Sequence, residues 1–150
     1  MIPKFNTQGN LPEGIYFCTW EEFIARFGIT PHRLSLISGL KTAMISLKNA
    51  GCSRIYLDGS FITNKIVPGD FDACWDTNGV DINELRSIAP NLLDFKNKRA
   101  AQKSQYKGEF FLADRSANQA GMIFLDFFQM DRDGNSKGII AIDLESWEYD

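Results

Sequence analysis

The sequence has little of the chemistry that defines several classes of protein. Its three cysteines, Cys18, Cys52 and Cys74, are odd in number and far apart, and it contains one histidine. No disulfide framework or zinc site is therefore expected, and we predict free thiols in a reducing compartment. No apolar run is long enough to span a bilayer, and we expect no signal peptide. These absences predict a cytoplasmic protein with no membrane partner.

An excess of positive charge is also missing. The formal net charge is −3, whereas proteins that coat DNA are normally basic because their affinity comes from neutralising phosphates. Bulk DNA binding is therefore not expected, but a small site for a phosphate ligand or a nucleic-acid end is compatible with this charge. Of the 150 residues, 44% are apolar and 13% aromatic, which predicts one globular domain rather than disorder.

Local signals divide this single domain, residues 1–150, into elements. Residues 1–14 are predicted to form an irregular arm, and residues 145–150 an acidic, solvated tail. The Thr-x-x-Glu spacing of residues 19–22 predicts a short helix that ends at Gly28. The Thr-Pro pair at 30–31 predicts a longer helix that Gly51 ends. Apolar residues at helical spacing give this helix its predicted inward face: Leu34, Ile37, Leu40, Met44 and Leu47.

Strand patterns follow the second helix. We predict strands at 54–57, 70–76, 122–130 and 138–144, with the last two paired as an antiparallel hairpin. Residues 77–90 are predicted to be a loop and residues 92–106 a helix. The expected fold class is therefore α/β (α+β), with at least four strands in one mixed sheet that helices flank.

A pair of carboxylates opens the second predicted strand. Alternate side chains of a strand share a face, so Asp70 and Asp72 project together. Two carboxylates this close repel each other unless positive charge lies between them, and hard oxygen ligands of this kind suit Mg²⁺ or Mn²⁺. An Asp-x-Asp pair by itself is also typical of a solvated strand face, so the interpretation depends on further elements.

A third carboxylate lies in the strand predicted at 122–130. That segment is apolar on both faces and is expected to be central and covered, with Asp126 as its only charge. Burying an unpaired carboxylate costs roughly several kcal/mol. A metal, an Arg or Lys partner, or a shifted pKa would compensate, and a metal shared with Asp70 and Asp72 is the simplest hypothesis.

A glycine–serine turn follows the first predicted strand. Glycine at 59 lets the backbone approach a ligand, and Ser60 adds a hydroxyl beside backbone N–H groups that favour anions. The order Gly59-Ser60, Asp70-Phe71-Asp72 and Leu125-Asp126-Phe127 resembles the nucleotidyltransferase superfamily of polymerase-beta type. The run from Gly59 through Lys65 and Pro68 to Asp72 is also similar to an uncharacterised subfamily of short bacterial and phage proteins.

The resemblance implies a nucleotidyltransferase-like fold and a set of residue roles. Gly59 and Ser60 would hold the triphosphate of an NTP, and Asp70, Asp72 and Asp126 would bind Mg²⁺ or Mn²⁺. The implied reaction moves an NMP group from the NTP to a protein, an RNA end or the hydroxyl of a small molecule. The alternative is a catalytically silent module that binds nucleotide or a partner protein, within a toxin–antitoxin or phage-defence pair.

Basic residues provide supporting candidates for phosphate binding. Lys65 lies between the turn and the aspartate pair, although an exposed loop lysine fits the sequence equally well. Arg99 and Lys103 belong to a stripe on one face of the predicted helix at 92–106, with Lys96 and Lys107. Such a stripe is usually a solvated face, but in an acidic protein it is a candidate phosphate contact. The single histidine, His32, is expected at the surface or in a capping role.

Overall fold

The computed structural model, which describes residues 1–149, contains five α-helices and five strands within that range. The helices are α1 Trp20–Phe27, α2 Pro31–Asn49, α3 Ile82–Ile88, α4 Lys96–Tyr106 and the one-turn α5 Phe124–Phe127. The strands are β1 Gly14–Phe17, β2 Arg54–Asp58, β3 Phe71–Trp75, β4 Gly108–Leu112 and β5 Gly138–Asp143. Short 3₁₀ turns follow β2 at Ser60–Ile62 and α3 at Pro90–Leu93.

All these strands form one five-stranded mixed sheet in the order β1-β5-β2-β3-β4. Strand β2 runs antiparallel to both β3 and β5, whereas β1 is parallel to β5 and β4 is parallel to β3. The predicted mixed α+β class is therefore confirmed. The predicted hairpin at the end of the chain is wrong, because β5 lies between β1 and β2 and pairs with both.

The first two helices begin at the predicted capping residues. The Thr19 hydroxyl accepts from the N–H of Glu22 and the Glu22 carboxylate from the N–H of Thr19, and Gly28 ends α1. Thr30 caps α2, and Gly51 follows that helix with a φ of +96°. One residue of the predicted inward face is misplaced. Leu34 is 46% exposed, and its neighbour Arg33 is buried instead.

Side chains alternate between the two faces of the sheet. One face carries Ile55, Leu57, Ala73 and Trp75 and packs under α1, α2 and α3 in the main core. The other face carries Tyr56, Cys74, Ile139 and Ala141 and packs against Ala113, Phe124, Leu125 and Phe128. Residues 113–137, which include α5, therefore cover the second face of the sheet.

Several predicted elements need correction. The segment predicted as a central strand at 122–130 contains helix α5, and the loop predicted at 77–90 contains α3. The helix predicted at 92–106 begins as a 3₁₀ turn, and α4 has left-handed backbone at Asn97, Lys98 and Arg99. Strands β1 and β4 were not predicted, although residues before Gly14 do form the expected irregular arm.

The predicted solvated tail instead packs on the domain. Trp147 is 6% exposed and contacts Trp20 and Tyr149 with ring centroids 5.6 and 5.2 Å away. The last residue of that predicted tail, Asp150, lies outside the described residues. Among residues 1–149, no helix combines the length and apolar character needed to cross a membrane.

Candidate functional site

A pocket of about 510 Å³ opens where β2 ends and β3 begins. Its acidic end is formed by Asp58, Gly59, Ser60 and Asp72. Its opposite wall is apolar and consists of Phe111, Phe124, Phe127, Phe128 and Met130, and Asp131, Arg132 and Lys137 complete the lining with Asn10 and Thr63. The pocket therefore joins a charged end to an aromatic surface.

Strand register brings three carboxylates side by side at the acidic end. Asp58 of β2 lies opposite Asp72 of β3, and Asp72 is in turn paired with Glu109 of β4. Residues directly opposite each other in neighbouring strands project from the same face of a sheet. Asp72 is therefore the middle member of a row of acidic side chains on the face that residues 113–137 cover.

Burial and neighbouring charges perturb the Asp72 carboxyl in the middle of the row. Burial, and then the negative charges of Asp58 and Glu109, raise the pKa of the Asp72 carboxyl to about 7. The charge of Asp70 acts in the same direction, whereas the positive charges of Lys137 and Arg99 favour the ionised form of Asp72. Within residues 1–149, neither a hydrogen bond nor an ion pair satisfies this carboxylate. A cation placed beside Asp72 would therefore stabilise its ionised form.

Asp58, in contrast, has its own positive partner. It is 6% exposed, and its Oδ1 lies 2.8 Å from the Nζ of Lys137. Burial raises the pKa of the Asp58 carboxyl, and the charge and hydrogen bond of Lys137 oppose this effect. The ion pair also joins the end of β2 to the segment that covers the pocket face.

The glycine–serine turn lies against Asp72. Gly59 has a φ of +88°, and a Cβ there would be 3.1 Å from Asp72 Oδ2 and 3.2 Å from the Asp72 backbone nitrogen. The backbone conformation therefore favours glycine, and a side chain would also crowd Asp72. Ser60 begins the 3₁₀ turn and lines the pocket, so its hydroxyl and the backbone of the turn are available to an anion.

Buried Arg33 holds the loop that continues from this turn. The residue is 2% exposed. Its guanidinium donates to the carbonyl oxygens of Phe61, Thr63 and Lys65 at 2.8, 2.9 and 2.6 Å. Its charge has no carboxylate partner within residues 1–149 and is stabilised by these dipoles. Arg33 therefore fixes the path of the chain between the turn and β3.

The basic stripe of α4 reaches the site through two of its predicted members. Arg99 lies over the Phe111 ring at 3.9 Å from the centroid, and its Nε donates to the Phe110 carbonyl at 3.1 Å. Lys103 pairs with Glu109 at 3.4 Å. Both cations therefore lie beside the acidic row.

The remaining predicted site residues lie further from the pocket lining. Asp70 is exposed just before β3, although its charge still acts on Asp72. Lys65 is exposed in the loop, and its side chain does not line the pocket. Asp126, expected as a buried third ligand, is exposed on α5 and is absent from the lining. The expectation of burial is wrong because the strand that would have buried it is a helix.

Sequence reasoning missed two charged residues of the site. Glu109 occupies the position beside Asp72 that was expected for Asp126, and Lys137 neutralises Asp58. A signal for Glu109 was present, since it is the one charge in the run Gly-Glu-Phe-Phe-Leu at 108–112. Lys137 had no comparable signal, because a lysine in a polar loop is ordinary.

The acidic row fits a cation that arrives with a ligand better than an isolated ion. Within residues 1–149, no three His, Cys, Asp or Glu side chains form a group able to enclose a metal. Asp58 and Glu109 each face a lysine, which leaves Asp72 as the unpaired oxygen donor, with Asp70 nearby. Mg²⁺ is commonly held in this way, by one or two carboxylates together with substrate phosphates.

The fold and the pocket define a mixed α+β domain with an acidic cleft beside a glycine–serine turn. The chain belongs to the family of unknown function DUF6932, whose family model matches residues 3–143. No curated protein and no solved structure is significantly similar to it. Every residue that lines the pocket lies within the matched range.

Proposed function

We propose that this protein is a metal-dependent nucleotidyltransferase that moves an NMP group from an NTP to a hydroxyl of a protein, an RNA end or a small molecule, with release of pyrophosphate and the hydroxyl proton. The observation that carries the proposal is the unpaired Asp72 carboxylate, held between Asp58 and Glu109 and against the Gly59 turn. An unpaired, partly buried carboxylate beside a turn suited to phosphate favours a ligand that supplies both cation and phosphate.

Different parts of the site would bind the cation and the phosphates. Asp72 would bind a divalent cation that arrives with the phosphates, with the negative charges of Asp70 and Glu109 nearby, and the turn at Gly59 and Ser60 would hold the triphosphate. Bound divalent metal supplies stabilisation of the attacking and leaving oxygens in an in-line transfer. Glu109, and not Asp126, is the carboxylate beside Asp72, and its negative charge would add to the attraction of that position for a cation. The nucleotidyltransferase-like arrangement of strands and turn is part of the same proposal.

Label transfer tests this function. Pure protein is incubated with each α-³²P-labelled NTP, Mg²⁺ or Mn²⁺, and cell lysate as the source of acceptors. We expect transfer by the wild type and by Asp126→Asn, and no transfer by Asp72→Asn or Glu109→Gln. Transfer that survives Asp72→Asn but is lost in Asp126→Asn would contradict the assignment, and no transfer with any NTP would contradict the enzyme proposal.

One observation favours a second candidate, a module that binds nucleotide or a partner protein without catalysis. Asp58 and Glu109 are already paired with Lys137 and Lys103, so the acidic row is partly neutralised before any ligand binds. Metal-dependent NTP binding in equilibrium dialysis, together with no label transfer, is the result that this candidate predicts. The same module could then act within a toxin–antitoxin or phage-defence pair.

A further inference from the structure

We propose that the aromatic side of α5 is the nucleobase subsite, and that Phe127 is the surface on which the base of the bound nucleoside triphosphate stacks. This inference rests on the proposed function, because it assigns the far end of the same pocket. The inference concerns the nucleobase, the part of the substrate that the carboxylates and the turn would not contact.

Phe127 is the exposed member of the aromatic wall. It lines the pocket and is 45% exposed, whereas its neighbour Phe128 is 4% exposed. Phe111 is already covered, with Arg99 3.9 Å and the Phe124 ring 4.6 Å from its centroid. The nearest aromatic contact of Phe127 is the Phe124 ring, edge-on at 87° and 6.4 Å. The wall therefore offers one aromatic surface that the fold itself does not use.

The wall is fixed relative to the sheet. The N–H groups of Phe124 and Leu125 donate to the carbonyls of Arg115 and Ala113 at 2.9 and 3.0 Å. Past α5, the Lys137 N–H donates to the Gln129 carbonyl at 2.9 Å, and the Lys137 side chain is paired with Asp58. The covering segment thus attaches the aromatic wall to the acidic end, so both ends of the pocket keep a fixed separation.

The chemistry of the two ends matches the two ends of one ligand. A volume of about 510 Å³ lies within the ordinary range for small-molecule sites. An acidic end with a phosphate-type turn and an apolar aromatic end together suit a metal-bound nucleoside triphosphate better than an inorganic phosphate or an apolar molecule. Because every base has a π-face and purines have the larger one, the subsite should favour ATP and GTP over CTP and UTP.

Paired binding measurements test the subsite. Calorimetric titrations compare a non-hydrolysable ATP analogue with inorganic tripolyphosphate, both saturated with Mg²⁺, on the wild type, Phe127→Ala and Phe127→Trp. We expect Phe127→Ala to weaken binding of the analogue by about tenfold or more and to leave tripolyphosphate binding unchanged. Phe127→Trp should retain binding of the analogue. Phe17→Ala, at a 49% exposed phenylalanine on β1 outside the pocket, is the matched control and should change neither affinity.

The outcomes separate this inference from the function beneath it. If Phe127→Ala lost affinity for both ligands equally, or kept its affinity for the analogue, the subsite would be overturned. Tripolyphosphate binding to the wild type would still support the phosphate site. No binding of either ligand to the wild type would overturn the proposed function, and the subsite with it.

Discussion

The two faces of the sheet differ in what covers them and in what they bury. The face under α1, α2 and α3 is apolar throughout, and its core residues Ile55, Leu57 and Ala73 are fully buried. The opposite face is covered by residues 113–137, and its edge carries the carboxylates of Asp58 and Asp72 beside a pocket.

This difference separates stability from function within one sheet. Removing apolar volume from the helix-covered face should destabilise the protein and leave the site intact. On the pocket face, an unpaired carboxylate reduces stability, as expected of a group retained for ligand binding. Substitutions there should therefore change stability in either direction, depending on the charge that they remove.

The largest expected effect is on the helix-covered face. Leu40→Ala, at a residue 1% exposed in α2, should lower the free energy of unfolding by about 2–5 kcal/mol because it leaves a cavity. The matched control is Leu34→Ala in the same helix, where 46% exposure predicts a change within about 0.5 kcal/mol. Urea denaturation measures both. Similar losses for the two variants would contradict the burial pattern of α2.

Next in size is the ion pair across the pocket face. Lys137→Met leaves the buried Asp58 carboxylate unpaired and should lower the free energy of unfolding by about 2–3 kcal/mol at neutral pH. Adding Asp58→Asn to that variant should restore most of the loss. A double-mutant cycle with no coupling between the two positions would show that the pair does not stabilise the segment.

Asp72→Asn should have a smaller effect of the opposite sign. The folded protein raises the pKa of this carboxyl to about 7, so ionisation opposes folding as the pH rises from about 4 through 7. The variant should therefore be more stable than the wild type by about 2 kcal/mol near pH 5.5, and the two should converge near pH 4. Asp126→Asn, at an exposed carboxylate, is the control, and its difference in free energy of unfolding from the wild type should be the same at both pH values. A pH-independent difference for Asp72→Asn would refute the electrostatic explanation.

The smallest effect concerns the link between α4 and β4. Lys107 ends α4 with a φ of +70°, where glycine is favoured, so Lys107→Gly should stabilise the protein by about 0.5–1 kcal/mol. Ser104→Gly, exposed inside the same helix, should destabilise it by a similar amount. Thermal melts measure both, and the same sign for the two variants would contradict the left-handed cap.

The sequence was informative where local chemistry decides the structure. Caps at Thr19 and Thr30 marked both early helices, and β-branched and aromatic runs marked β2, β3 and β5. It was misleading at 122–130, because a short apolar run does not distinguish a strand from a buried helix. The spacing of Phe124, Phe127 and Phe128 is typical of a helix. The apolar composition of the segment favoured a strand instead.

The site was only partly predictable for the same reason. The Gly59-Ser60 turn and the Asp72 carboxylate could be chosen because strand alternation and spacing place them together. Glu109 had a local signal as the one charge of its run, but its position beside Asp72 was not predictable, because that position depends on a parallel crossover through α3 and α4. The Lys137 partner of Asp58 depends likewise on how residues 113–137 fold across the sheet.

Paramagnetic broadening of amide NMR signals by Mn²⁺ bound to ATP tests the central claim, that the acidic row receives a metal-bound nucleotide. With substoichiometric Mn²⁺ and excess ATP, we expect selective loss of the Gly59, Asp72 and Glu109 amide signals, while the Leu40 amide on the far face keeps its intensity. Asp72→Asn should abolish the selective loss. Uniform broadening, or broadening centred on Asp126 that Asp72→Asn leaves unchanged, would contradict the account.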